Sequence, residues 1–448
     1  MYRYLKFSFK DKMSSFKWAT HIKRYLIGKV FSRIVLWVFI LLIGYQLQDK
    51  ESYSHFLTFM LAGQLIAGVI NAGMPAAILR FGVINSKQET DKASAQDAWG
   101  VSLVVGGSLS AMLFVLGTII GENILRFPLE MVAITCLYGL LLAQEANYSS
   151  IFQLKNRSDL YERYYLILSF LILVIIAVLY YYEWKNKVFQ ATLFYVLGII
   201  GSLSWATSHV YKLIGLPSIR RWKEPLSYGV PLLPHLAGMY ILTSADFFII
   251  KYILGEEVAS TYGFAYQATS IISMFTASIV AYITPIYYTA LQQKDSITFS
   301  TISKRVNLIS VALFVISFVG IFILFFIINL YFDRYLGSLD LIYILSPSFV
   351  FHFIYAIAGI PLMFYGKTST YSLISVLIAG YNILANYIII GSWGAVGVAL
   401  VNVTSYALLS IITVHLMRTT SEYRISFKRS YILASLSVSL GLILVFLF

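Results

Sequence analysis

Apolar stretches long enough to cross a bilayer recur along this chain from near residue 27 to its end, and no water-soluble fold can bury so many of them. A hydrocarbon core about 30 Å thick takes about 20 apolar residues in a helix, and runs such as Leu166 to Leu179 and Ile309 to Leu330 supply them. Composition agrees, with 59% of the 448 residues hydrophobic and only 12% charged, against about 25% charged in soluble domains. The runs are continuous rather than alternating at every second residue, which excludes a β-barrel built from strands of about ten residues. The expected fold class is an all-α polytopic membrane protein. Its single cysteine, Cys136, rules out an internal disulfide or a cysteine-based cluster and reads as a packing residue. Four histidines (His209, His235, His352 and His415) fall within spans, but without the spacing of a metal site.

Residues 1–26 form a basic tail in which Phe9, Met13 and Phe16 recur at helical spacing among lysines, as on an anionic membrane surface. No small-residue cleavage pattern follows, so the tail is expected to be retained. Breaks at charged and Gly/Pro positions divide the rest into spans near 27–47, 55–78, 99–119, 129–150, 164–182 and 190–212. A second set follows near 227–252, 261–290, 305–330, 341–365, 370–390 and 395–416, with one more at 430–448. Lys and Arg set the orientation, because cytoplasmic loops retain positive charge. With the N-terminus cytoplasmic, only Lys50, Arg126, Lys185, Lys187, Lys251 and Arg334 of the 33 Lys and Arg fall on the far side. Tyr180, Trp184, Trp222, Tyr331 and Trp393 then sit at span ends, as interfacial aromatics do.

The basic loop 213–226, with Pro217, Arg220, Arg221 and Lys223, separates two groups of six spans. The expected layout is therefore an N-terminal lobe at 27–212, a cytoplasmic linker at 213–226, a C-terminal lobe at 227–416 and an extra helix at 430–448. Tyr53 to Pro75 in span two and Tyr262 to Pro285 in span eight have nearly the same length, which suggests an internal repeat. Six is even, so the two lobes would be parallel repeats with a cavity between them. Gly229, Pro231 and Pro234 disfavour a straight helix where the second lobe begins.

The stretch Leu226 to Tyr266, LSYGVPLLPHLAGMYILTSADFFIIKYILGEEVASTYGFAY, resembles the start of the second lobe in polysaccharide exporters of the MOP superfamily. These include Wzx-type flippases for lipid-linked O-antigen oligosaccharide. Asn71 to Phe81, NAGMPAAILRF, is similar to the end of that family's second helix. Gly366 to Tyr406 resembles its G-K-T, N-x(3)-N and G-x-x-G succession. Together the likeness covers roughly residues 20–416. Two departures stand out. Phe247, not a basic residue, follows Asp246, and thirteen spans stand where the family usually has twelve or fourteen.

The resemblance implies a polyprenyl-linked oligosaccharide as partner, with an anionic phosphate beside bulky sugars. It implies no cofactor, no catalytic residue and no nucleic acid. Charge at the centre of a spanning helix costs about 2.5–3.5 kcal/mol on insertion scales, so cations near the membrane are the candidates for phosphate. They are Arg33 and Lys29, four residues apart on one face of span one, with Arg80 and Lys212 at the ends of spans two and six. Snorkelling to the interface is the competing reading for all four. Two acids lie within spans, Glu145 and Asp246, and are the candidates for coupling to a proton or sodium ion. Tyr262, Tyr266, Thr269, Ser273 and Thr276 recur at helical spacing on span eight and form a candidate sugar-binding stripe facing the inter-lobe cavity. For the three small residues, close helix packing is the competing reading.

A flippase in the cell inner membrane, working with membrane lipids, a polysaccharide polymerase and chain-length proteins in O-antigen, lipopolysaccharide or capsule assembly, is the expected function. A membrane polymerase or lipid-dependent glycosyltransferase is one rival, disfavoured by outer loops of about ten residues and by the lack of a phosphate-cradling loop or paired acidic motif. A multidrug exporter of the same superfamily is the other.

Overall fold

The computed structural model describes residues 15–47, 49–84, 90–123, 128–155, 157–181, 187–214, 218, 222–422 and 425–447. Most of the expected tail, much of the linker and the side chain of Arg80 lie outside the described residues. No strand occurs among those described. Helices α1 (Ser15–Gln46), α2 (Lys50–Ile70), α3 (Met74–Ile84), α4 (Thr90–Asn123), α5 (Leu129–Leu154), α6 (Ser158–Tyr181) and α7 (Lys187–Ile214) make up the first part. The second comprises α8 (Lys223–Gly229), α9 (Leu233–Leu254), α10 (Glu256–Gln293), α11 (Ser296–Tyr331), α12 (Leu339–Leu345), α13 (Ser348–Phe364), α14 (Thr368–Thr420) and α15 (Lys428–Leu447).

Local chemistry sets several boundaries. Asp49 caps α2 by accepting from the Ser52 amide at 2.6 Å. Asp295 caps α11 by accepting from the amides of Ile297 and Thr298 and from the Thr298 hydroxyl. The hydroxyl and amide of Thr298 hold the Asp295 carboxyl below its ordinary range. The bend expected at the start of span seven is a 3-10 turn, Val230–Leu232, between α8 and α9.

Ten helical stretches among the described residues are long and apolar enough to cross a membrane. Nine of them match expected spans one for one. The spans expected at 370–390 and 395–416 are both contained in α14, whose 53 residues would reach about 80 Å if straight, far more than one bilayer. Gly394, at φ 55° and ψ −144°, breaks it into two arms, and an L side chain would be strained in that backbone conformation. The spans expected at 261–290 and 430–448 are the helices α10 and α15.

Helix α1 lies along α6, α2 along α5, and α6 against α7, while α14 packs against both α9 and α13, and α13 against α10. The two sets meet where α10 touches α1 and α2, and where α9 touches α2. Aromatic rings fill that seam. Tyr53 meets Tyr335 edge-on at 5.7 Å, and Phe264 stacks on Tyr335 at 4.3 Å. Ion pairs flank it, with Lys50 to Glu257 at 3.0 Å and Lys251 to Glu256 at 3.2 Å, and Lys251 also donates to the Thr58 hydroxyl.

Span two is not continuous. Ala72 (φ 47°) and Gly73 (φ 70°) are left-handed and separate α2 from α3. The turn fits against Gly229, where a methyl group would run into the carbonyl oxygen of Ala72 and the Met74 side chain. Gly229→Ala is therefore expected to destabilise the protein by about 1–3 kcal/mol through overpacking. Thermal melting of the detergent-solubilised variant checks this, and an unchanged melting temperature would show that the two turns separate freely.

Candidate functional site

The charged groups that the sequence places in spans form two separate clusters. In the first, Arg33 on α1 meets Glu145 on α5, Nη2 to Oε1, at 3.7 Å. This joins an expected phosphate ligand to an expected coupling acid. The Glu145 side chain is 9% exposed and the Arg33 side chain 35%, so the acid is buried and the arginine is partly exposed. At 3.7 Å the contact is an ion pair without a short hydrogen bond, which leaves guanidinium donors free for a second anion. Tyr138, Tyr164, Tyr165, Tyr195 and Tyr240 lie within electrostatic reach of the pair. Four come from α5, α6 and α7, whereas Tyr240 reaches across from α9 and rests on Gly68 of α2.

Lys29 is half-buried one turn from Arg33 on α1. Lys212 is exposed in the last turn of α7. Arg80 is in α3, with its side chain outside the described residues. Among the described residues, no ion pair or hydrogen bond joins Lys29 or Lys212 to Arg33.

Asp246 anchors the second cluster. Its carboxylate is buried and accepts hydrogen bonds from the Tyr262 hydroxyl at 2.8 Å, Asn386 Nδ2 at 2.7 Å and Asn402 Nδ2 at 2.6 Å. Asn386 also donates to Asn382 Oδ1 at 3.2 Å, and Asn382 donates to the Ser405 hydroxyl. The N-x(3)-N pair thus converges on the acid from the first arm of α14, and Asn402 does so from the second. With both amides donating to the carboxylate, Asn386 Oδ1 and Asn402 Oδ1 are left buried without hydrogen-bond partners. Orphaned amide oxygens near a buried carboxylate are the type of ligand hard cations take. Lys251, five residues after Asp246, turns instead to Glu256 and Thr58.

The expected sugar stripe on α10 divides. Tyr262 is committed to Asp246, and Tyr266 is half-buried against Phe349 with ring centroids 5.9 Å apart. Thr269 and Ser273 donate to carbonyls of their own helix, at 2.9 Å to Ala265 and 2.7 Å to Ser270. Thr276 is buried with its hydroxyl unpartnered. The upper part of the stripe thus turns into the second set of helices, toward α9, α13 and α14, rather than toward a cavity between lobes.

A third polar cluster escaped the sequence reading. The Ser102 hydroxyl accepts from Asn147 Nδ2 at 2.7 Å and Gln144 Nε2 at 3.3 Å, and lies 3.4 Å from Asn71 Oδ1 at the α2–α3 break. Neutral amides carry no charge signal, so only their convergence reveals them.

Residues 23–288, more than half of the chain, match the family described as polysaccharide biosynthesis protein. The chain belongs to this family. Its fold is that of MOP superfamily transporters. An inward-facing multidrug resistance MATE family transporter of that superfamily superimposes with TM-score 0.63 at 15% identity, covering 92% of this chain and 96% of the other. A MATE structure in complex with MaD3S gives 0.69 at 14% identity, covering 93% and 96%. A MOP superfamily transporter from Pyrococcus furiosus, whose binding pocket of reverse polarity suggests a different function for it, gives 0.60 at 14% identity, covering 89% and 95%. No curated protein matches the sequence. In this polysaccharide biosynthesis protein, therefore, the two charged clusters sit within a transporter fold.

Proposed function

We propose that the chain is a flippase that moves polyprenyl-(pyro)phosphate-linked oligosaccharide across the cytoplasmic membrane for cell-surface polysaccharide. The observation that carries this reading is the partly exposed Arg33 side chain, held in a spanning helix by a buried Glu145 and surrounded by tyrosines. Between substrates Glu145 keeps the cation neutralised. When the phosphate arrives it replaces the carboxylate as a charge-assisted, two-pronged partner of Arg33. Lys29 guides the anion toward Arg33 from one turn away, with Arg80 and Lys212 adding positive charge at the cytoplasmic ends. Tyr240, which reaches from α9 to Gly68 of α2, offers a ring face to the sugar.

The Asp246 cluster is the proposed coupling site, where a proton or sodium ion binds the carboxylate and the two orphaned amide oxygens. The ion neutralises a buried charge held only by neutral donors, and so favours one packing of α9 against α14 over another. The two sets of helices act as lobes with the N-terminus in the cytoplasm, an arrangement supported by the distribution of Lys and Arg. The translocated product passes to a polymerase and chain-length proteins for O-antigen, lipopolysaccharide or capsule.

The second reading, multidrug export, is favoured by the fold alone, through the multidrug resistance transporter that superimposes on this chain. A positively charged side chain at the exposed edge of the site argues against cationic drugs. Uptake into vesicles containing the purified protein separates the two. Radiolabelled prenyl-pyrophosphoryl oligosaccharide should become protected inside the vesicles, and a cationic dye should not. Dye transport without movement of the lipid-linked sugar would replace the flippase reading with drug export.

A further inference from the structure

Between α10 and α11 lies a groove of about 410 Å³, within the range of about 300–1,000 Å³ that ligand pockets span. Ala268, Ile272 and Phe275 form one wall, and Val315, Gly320 and Leu324 the other. Three hydroxyl groups border it, and each donates to its own helix: Thr269 to Ala265 O at 2.9 Å, Ser317 to Leu313 O at 2.7 Å and Ser346 to Ile342 O at 2.7 Å. With those donors occupied, the walls offer nothing to phosphate or sugar and suit hydrocarbon only. Gly320 leaves the groove open, since nothing lies within 4 Å of where its Cβ would be. Phe318, Val319, Phe322 and Ile323 around it are all exposed on a helix that crosses the membrane, so the groove opens toward lipid.

Its place in the fold selects among hydrocarbons. Ala268 lines the groove, and its carbonyl, with that of Gln267, accepts from Trp37 Nε1 of α1 at 3.2 and 2.8 Å. Trp37 and Arg33 are four residues apart on α1, hence on one face and about 6 Å apart along its axis. The groove therefore begins at the contact between α1 and α10, one helical turn from the cation proposed for phosphate. A phospholipid headgroup stays at the interface, about 15 Å from the bilayer centre, whereas a lipid whose head enters the protein must lead its chain past this contact.

We propose that the α10–α11 groove seats the isoprenoid chain of the lipid-linked substrate while its phosphate head engages the Arg33 site, an inference that rests on the flippase reading for the identity of the lipid. The methyl branches of the chain fit between the branched Ile and Val side chains lining the walls. The seat keeps the chain in the membrane while the head crosses.

The test uses the full chain in phosphatidylcholine vesicles with a trace of polyprenyl phosphate carrying a diazirine on its chain. Illumination should attach the probe to peptides containing residues 268–275 and 315–324, and unlabelled polyprenyl phosphate should compete. Gly320→Trp fills the open space and should reduce that labelling about tenfold, as expected for loss of a pocket occupant. Phe322→Trp, at an exposed residue outside the groove lining, should leave labelling unchanged and shows that a tryptophan on α11 is tolerated. Equal labelling of the same peptides by a diazirine-bearing diacyl phosphatidic acid, or undiminished labelling in Gly320→Trp, would overturn the proposal. The flippase reading fails separately. Competed labelling with no movement of lipid-linked sugar sinks that reading and leaves the seat, whereas normal movement without labelling at the groove sinks the seat alone.

Discussion

Replacing Arg33 with alanine is expected to abolish surface polymer while leaving the amount of protein in the membrane unchanged. Removing one partner of a fully buried ion pair destabilises by about 3–5 kcal/mol, because the other charge is stranded. That figure does not apply in full here, since the Arg33 side chain is 35% exposed and solvent screens part of the interaction. What is lost is a charge-assisted contact to phosphate worth about 1.5–3 kcal/mol, or about 10- to 100-fold in binding. Arg33→Lys should retain part of the activity, because it restores a point charge without the two-pronged geometry. Glu145→Gln should behave differently from Arg33→Ala. It removes the competing carboxylate, so polyprenyl phosphate should bind more tightly while export slows because release is impaired. Surface polymer measured beside binding to the purified variants checks all three. Normal polymer in Arg33→Ala cells would assign the residue to topology alone.

The second large effect is expected at Asp246. Asp246→Asn keeps the volume of the side chain, and whichever of Asn386 and Asn402 faces the new NH2 group can flip to present its oxygen while the other still donates to the remaining oxygen. The network should then survive and the variant should fold. It loses the only charge in the cluster, and with it the means to hold a proton or sodium ion. Transport into vesicles driven by an imposed ion gradient should fall to the level seen without a gradient. Asp246→Ala should add a loss of stability of about 1–3 kcal/mol, because the donors of Tyr262, Asn386 and Asn402 would be left buried and unpaired. Comparing gradients of protons and of sodium identifies the ion. Full gradient-driven transport by Asp246→Asn would remove this cluster from coupling.

Much of this protein is legible from the sequence, for a physical reason. The requirement to bury about 20 apolar residues per span acts on each segment by itself, so the helices show without knowledge of their neighbours. The cost of charge in lipid is equally local, which is why Arg33, Glu145 and Asp246 stand out before any fold is known. Which groups meet is not local. Arg33 and Glu145 lie on different helices and become partners only because α1 and α5 bring them to one place. Asp246 gathers Tyr262, Asn386 and Asn402 only because Gly394 turns α14 back and brings both of its arms against α9. The same limit explains the stripe on α10, where spacing puts five residues on one helical face but says nothing of what that face meets. Packing turned Tyr262 toward a carboxylate and tied Thr269 and Ser273 to their own backbone. The break at Ala72 was hidden for a related reason. A left-handed alanine has no sequence signature, and what holds it is the fit of the turn against Gly229, far away in the chain. Sequence alone determined where the membrane is crossed and which charges are out of place in it, while the tertiary structure decided which of those charges answer one another, because pairing depends on distances that only helix packing creates.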